Sequence, residues 1–122
     1  MTSTRLRFRP HQRLHTPDEY ESVFAKKCSA GDGVLLVFVD RSGAETSQLG
    51  TSVGKRCGNS VVRHQWKRYI REAFRLHQGE WASGIRIVVV PRPGVSPNFA
   101  QVEESLRKLI SRAVRKLNAA NS

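Results

Sequence analysis

Two short, nearly unbroken apolar runs, "VLLVFV" at 34–39 and "IRIVVV" at 85–90, constrain this chain more than any other feature. Runs of this length, rich in β-branched residues, read as strands covered on both faces or nearly so. The segments around them are helical in pattern, so the expected architecture is one sheet with helices packed on it, an α/β sandwich of the α+β class. Both runs fall far short of the ~20 apolar residues that cross a bilayer. The first ten residues, "MTSTRLRFRP", lack the apolar core of a secretion signal, and neither secretion nor membrane insertion is expected.

With 122 residues the chain has the length of one domain able to bury its own core. Residues 1–15, which carry Arg5, Arg7, Arg9 and Arg13, read as a basic, partly flexible arm that docks near Leu14, and residues 16–118 as a single domain. "TPDE" predicts a helix start, with Thr16 as cap, Pro17 at the first position and Glu19 closing a capping box. That helix should run to about Lys27, and "SAGDG" should break it. After the first strand, "RSGAETS" reads as a turn and "QLGTSVG" as a second strand, the two forming an antiparallel hairpin. Asn59 is a suitable cap for a helix from about Ser60 to His77. "IRIVVV" is then ended by "PRPGVSP", whose three prolines should exclude both helix and ladder. Ser96 as cap and Pro97 at the first position open a last helix that stays apolar at helical spacing from Phe99 to Leu117. The expected order is helix, two or three strands, helix, strand, helix.

Charge narrows the function. Lys and Arg number 21 against 10 Asp and Glu, a net charge of +11, which disfavours the compact state by self-repulsion and suits a polyanionic partner. Residues 53–75 hold seven of the bases and only one acid, Glu72, for a net +6. On a helical wheel, Val62, Trp66, Tyr69, Ile70, Ala73 and Phe74 fall within about 140° and form the buried face. His64, Lys67, Arg68, Arg71 and Arg75 occupy about 100° opposite it. Arg63 stands at the edge of the buried face, and Lys55 and Arg56 project from the preceding turn.

A merely solvated helix face mixes acids and bases at i, i+4, because such pairs gain a few tenths of a kcal/mol. Here Lys67, Arg71 and Arg75 stack like charges at that spacing, and Arg63 sits at the positive end of the helix dipole. A phosphate backbone along the helix reverses both costs, so the helix reads as a nucleic-acid interface. Its exposed arc is cationic, without the several base-reading side chains of a major-groove helix, and suits phosphate clamping on structured RNA better than reading DNA. A membrane-surface role is disfavoured because Trp66, Tyr69 and Phe74 are needed for the core. A second candidate site lies on the first helix and strand, where Tyr20 and Phe24 sit one turn apart near Ser29, Val37 and Phe38, edged by Lys26 and Lys27. Such a pair either belongs to the core or lines a cleft that stacks the bases of a single strand.

Protein-borne chemistry is not expected. The acids are scattered through helix starts and isolated positions, and no His pair is placed for acid–base work. His11 and His15 lack partner ligands, Gly54, Lys55 and Gly58 do not form a phosphate-binding loop, and no small-molecule substrate is implied. Cys28 and Cys57 show no redox or zinc spacing and fit a reducing cytoplasm.

The segment "SVGKRCGNSVVRHQWKRYIREAFR" closely resembles the signature of the bacterial ribonuclease P protein subunit, through Val53, Lys55, Arg56, Gly58, Asn59, Arg63, Lys67, Arg68 and the run Arg71 to Arg75. "RLHTPDEYESVF" and "IRIVVVPRPG" are similar to that family's first helix and last strand. The resemblance implies a four-stranded mixed sheet with three helices in the order αβββαβα. It further implies a left-handed crossover through the basic helix, a fold shared with one domain of a small-subunit ribosomal protein. It implies that the protein assists a catalytic RNA in removing the 5′ leader of precursor tRNA, with Mg²⁺ held at the RNA active site and none bound by the protein. Lys55, Arg56, Asn59, Arg63, His64, Lys67, Arg68, Arg71 and Arg75 would then contact the catalytic RNA, and Tyr20, Phe24, Ser29 and Val37 the leader. One departure lies inside the motif: the family's Arg-Asn-Arg appears here as Arg63-His64-Gln65. The alternative reading is a ribosomal or RNA-chaperone-type protein without a role in cleavage.

Overall fold

The computed structural model describes residues 13–14, 16–41, 47–81 and 84–120. The elements follow the order α1 (Pro17–Lys26), β1 (Cys28–Gly31), β2 (Leu35–Arg41), β3 (Gln48–Thr51), α2 (Ser60–His77), β4 (Ile85–Pro91) and α3 (Phe99–Ala120). Short 3₁₀ turns at Lys55–Cys57 and Gln78–Glu80 flank α2. The strands lie in the order β1-β2-β4-β3, antiparallel except for the β3–β4 pair, which is parallel.

Three sequence expectations change here. β2 and β3 do not form a hairpin, because β4 lies between them and pairs with both. "SAGDG" is not simply a breaker: Cys28–Gly31 forms edge strand β1, which its small residues allow to follow directly on α1, with Lys27 turning the chain in the left-handed region at φ 59°. Pro91 belongs to the ladder, opposite Leu35. It is tolerated there because β3 reaches only as far as Val89 along β4, so the missing N–H falls beyond that pairing.

The helix caps are local chemistry. The Thr16 hydroxyl accepts from the Glu19 N–H and the Glu19 carboxylate from the Thr16 N–H, a closed capping box. Asn59 Oδ1 accepts from the Val62 N–H at 3.0 Å and starts α2. α3 begins two residues later than Ser96 and Pro97 suggest, with Asn98 Oδ1 accepting from the Gln101 N–H at 3.0 Å. Gly58 enters α2 at φ +131°, where a Cβ would also lie 2.9 Å from the Val62 side chain. Asp32 organises the β1–β2 turn, accepting from the Val34 and Leu35 N–H groups and the Ser105 hydroxyl.

The two faces of the sheet are covered unequally. Leu35, Val37, Val39, Ile87 and Val89 pack with Trp66, Ile70 and Phe74 of α2 and Leu106, Leu109 and Ile110 of α3 into the main core. Among the described residues the other face carries α1 and the Leu14 segment, where Val23 and Val88 are buried with Leu14 while Tyr20, Phe24, Phe38 and Val90 remain half-buried. One helix is only about 10 Å across, and four strands spaced by about 4.8 Å present a wider surface than it can cover. An aromatic cleft beside α1 is the result.

At the far end of α2, His77 joins three elements: Nδ1 lies 2.5 Å from Glu80 and Nε2 2.7 Å from Glu103 of α3, while Arg107 donates to Glu80. The Glu103 carboxylate, helped by Glu80, raises the His77 pKa against the opposing effect of burial. A raised pKa stabilises the fold most fully below the unfolded value of about 6.5, and the contribution is lost as pH rises through the folded value. His77→Ala is therefore expected to destabilise the protein more at about pH 6 than at about pH 9, read from urea midpoints at the two pH values. An equal deficit at both would assign His77 to packing alone.

Candidate RNA interface

α2 turns its apolar face inward as its spacing demands: Trp66, Ile70, Ala73 and Phe74 are buried and Val62 and Tyr69 pack at the edge. Lys55, Arg56, His64 and Arg68 are exposed, and Arg63, Lys67, Arg71 and Arg75 are half-buried along the flanks. No acid stands in the first turn of α2. Arg63 Nε is shielded from solvent without a hydrogen-bond partner among the described residues, a cost of about 1–3 kcal/mol. Val61, 74% exposed, lines a shallow groove with His64, Gln65 and Arg68, so the cationic arc also offers apolar contact.

Three motif positions are committed inside the protein. The Asn59 carbonyl oxygen caps α2, leaving only its amide N–H groups to face outward contacts. Gln65 Nε2 donates to Tyr69 Oη at 2.9 Å, so this departure from the family motif is turned along the helix rather than outward. Arg75 forms a two-pronged pair with Glu72, which holds the carboxylate below and the guanidinium above their ordinary pKa. Glu72 thus neutralises one of the seven cations of this segment.

The aromatic cleft assembles from row geometry. Ser29, Phe38, Val88 and Gly50 stand opposite one another across the four strands, on the α1 face. Phe24 meets Phe38 edge-on with ring centroids 4.8 Å apart. Tyr20, Phe24 and Ser29 are brought together on this face as their positions predict; Val37 is not. It is fully buried in the main core on the opposite face, because successive strand residues alternate sides. Phe38 takes its place, and the strand's period of two would have placed it there once Ser29 was recognised as a strand partner.

The two sites meet. Arg71 of α2 and Arg13 of the N-terminal segment share a small polar pocket with Tyr20, Leu49, Gly50 and Thr51. Burial, followed by the neighbouring Arg13 charge, lowers the Arg71 pKa. Leu14 anchors this segment by donating its N–H to the Leu49 carbonyl. Tyr20 can lie flat here only because Gly50 has no side chain: a Cβ would stand 2.7 Å from its ring. Gly50→Ala is expected to swing Tyr20 outward, weakening single-strand binding by the loss of one stacking platform, about 1–3 kcal/mol. An unchanged affinity for a short single-stranded oligonucleotide would remove Tyr20 from the cleft.

A family model described as ribonuclease P matches residues 8–114. The chain belongs to the ribonuclease P protein family. It is 33% identical over 103 residues to the ribonuclease P protein component of Exiguobacterium sibiricum, covering 83% of this chain and 89% of that one. Among solved structures it is similar to the Staphylococcus aureus RNase P protein, with a TM-score of 0.73, 25% identity and coverage of 82% of this chain and 93% of that chain. It is likewise similar to the Thermotoga maritima RNase P protein, with a TM-score of 0.72, 30% identity and coverage of 79% and 92%. As a protein component of ribonuclease P, an endoribonuclease of tRNA processing, it works within a ribonucleoprotein and its partner is RNA.

Proposed function

We propose that the two connected sites divide the labour of ribonuclease P. The cationic arc of α2 clamps phosphates of the catalytic RNA, and the α1 cleft takes the single-stranded 5′ leader of precursor tRNA. The observation that carries this reading is the shared pocket of Arg71, Arg13 and Tyr20, which makes the phosphate-binding helix continuous with the aromatic cleft. A single strand emerging beside the RNA interface would pass directly onto Tyr20, Phe24 and Phe38, where stacking and charge act together.

Among the described residues no three His, Cys, Asp or Glu side chains gather as metal ligands. The proposal leaves Mg²⁺ with the RNA. The protein's contribution is to neutralise phosphates that otherwise repel one another, and to add affinity for substrate carrying a leader. Cations without base-reading side chains along the arc support RNA rather than DNA as the partner. Cys28 and Cys57 are not joined in a disulfide, which supports a cytoplasmic location. The test is leader release from 5′-labelled precursor tRNA by a bacterial catalytic RNA at low Mg²⁺. The protein is expected to accelerate it, and a rate equal to that of RNA alone would overturn the reading.

A further inference from the structure

α3 carries a second cationic surface that the motif on α2 does not explain. After Glu104 the chain has no further acid, yet Arg107, Lys108, Arg112, Arg115 and Lys116 follow. Arg107 is paired with Glu80, and Lys108 lies 3.7 Å from Asp32. Lys108, Arg112, Arg115 and Lys116 are all exposed and fall within about 100° of the helix circumference. Lys108 with Arg112, and Arg112 with Lys116, place like charges at i, i+4, which disfavours the helix. The helix dipole favours cations only in the last turn, and the last turn of α3 holds none. Arg112, Arg115 and Lys116 instead surround a shallow groove of about 340 Å³ floored by Ala119.

This surface borders the aromatic cleft. Lys116 Nζ donates to the Ser29 carbonyl at 2.9 Å, and the Cys28 thiol donates to the Ala113 carbonyl at 3.2 Å, so the second half of α3 runs along edge strand β1. Ser29 is also the outermost member of the row that contains Phe38. The exposed Lys26 and Lys27 end α1 at the same edge, where Lys26 and Lys116 both act on the Cys28 thiol. A strand leaving the cleft past Ser29 meets Lys26, Lys27 and Lys116 at the rim, then Arg112 and Arg115.

We propose that the part of a 5′ leader too long for the cleft crosses the β1 edge and lays its phosphates along α3, on Lys116, Arg112 and Arg115. This rests on the leader-cleft reading and extends it, since leader length then sets affinity. The contact is electrostatic and indifferent to sequence, because this face of α3 offers cations and aliphatic stems but no aromatic platform.

The experiment uses the full chain reconstituted with catalytic RNA and measures affinity for tRNA with no leader, a short leader and a long leader. The wild type should bind the long leader most tightly. Arg112→Gln with Arg115→Gln should weaken long-leader binding by about fivefold to tenfold and lower its salt slope by about 1.4, leaving short-leader binding unchanged. Arg112→Lys with Arg115→Lys should restore it, and thermal melts should match the wild type. Equal loss for short and long leaders would place catalytic RNA on this surface and overturn the proposal, as would no loss for either. Failure of the wild type to distinguish a short leader from none would overturn the cleft reading itself, and the track with it.

Discussion

Replacing Lys55, Arg56 and Arg68 together with glutamine is expected to weaken binding to the catalytic RNA on the order of a hundredfold near physiological salt, and to lower the salt slope by about 2.7. The three are chosen because all are exposed, in the 3₁₀ turn and on the outer arc of α2. None packs into the core clusters. Each phosphate neutralised by the protein releases about 0.9 of a counterion, so the fall in slope reports how many phosphates these side chains meet, independently of any change in fold. Titrations at several salt concentrations, beside a thermal melt, check both. A loss of affinity that does not vary with salt would show that these side chains do not meet phosphates. Arg75 makes a useful contrast, because its charge is already met by Glu72 and its replacement should cost less.

Trp66→Ala is expected to destabilise the fold by about 3–5 kcal/mol, lowering the melting temperature by about 10–20 °C. Trp66 is wholly buried, in the core that α2 shares with α3 and the sheet. Its removal leaves a cavity beneath the cationic arc of α2. Trp66→Phe should cost much less, because the indole Nε1 has no hydrogen-bond partner among the described residues and its loss removes a buried orphan donor. Calorimetric melts of both variants decide this; equal destabilisation would mean that the indole's shape, rather than its volume, is what the core requires.

Much of the helical layout was legible in the sequence because helices are written locally. The 3.6-residue period separated the buried face of α2 from its cationic arc, and the Thr16 and Asn59 caps fixed two of the three helix starts. α3 was harder only at its first turn, where Ser96, Pro97 and Asn98 all suit a helix start and the observed hydrogen bond selects Asn98. The cleft was legible in part. Tyr20 and Phe24 announced themselves at helical spacing, whereas choosing between Val37 and Phe38 needed the phase of a strand whose apolar run hides its alternation. A shift of one residue moves a side chain to the other face of the sheet, and no local signal in "VLLVFV" fixes which face is which.

By itself the sequence determined the three helices and three of the four strands, and it set the cations of α2 on the arc opposite its buried face. Only the tertiary structure decided that β4 separates β2 from β3, that Phe38 rather than Val37 faces the cleft, and that Arg71 meets Tyr20 across Gly50. The difference is one of range. Helical periodicity and capping act over three or four residues and leave their mark in the chain, while strand order and the meeting of sites depend on packing between segments dozens of residues apart, which forms when the faces of the sheet are covered.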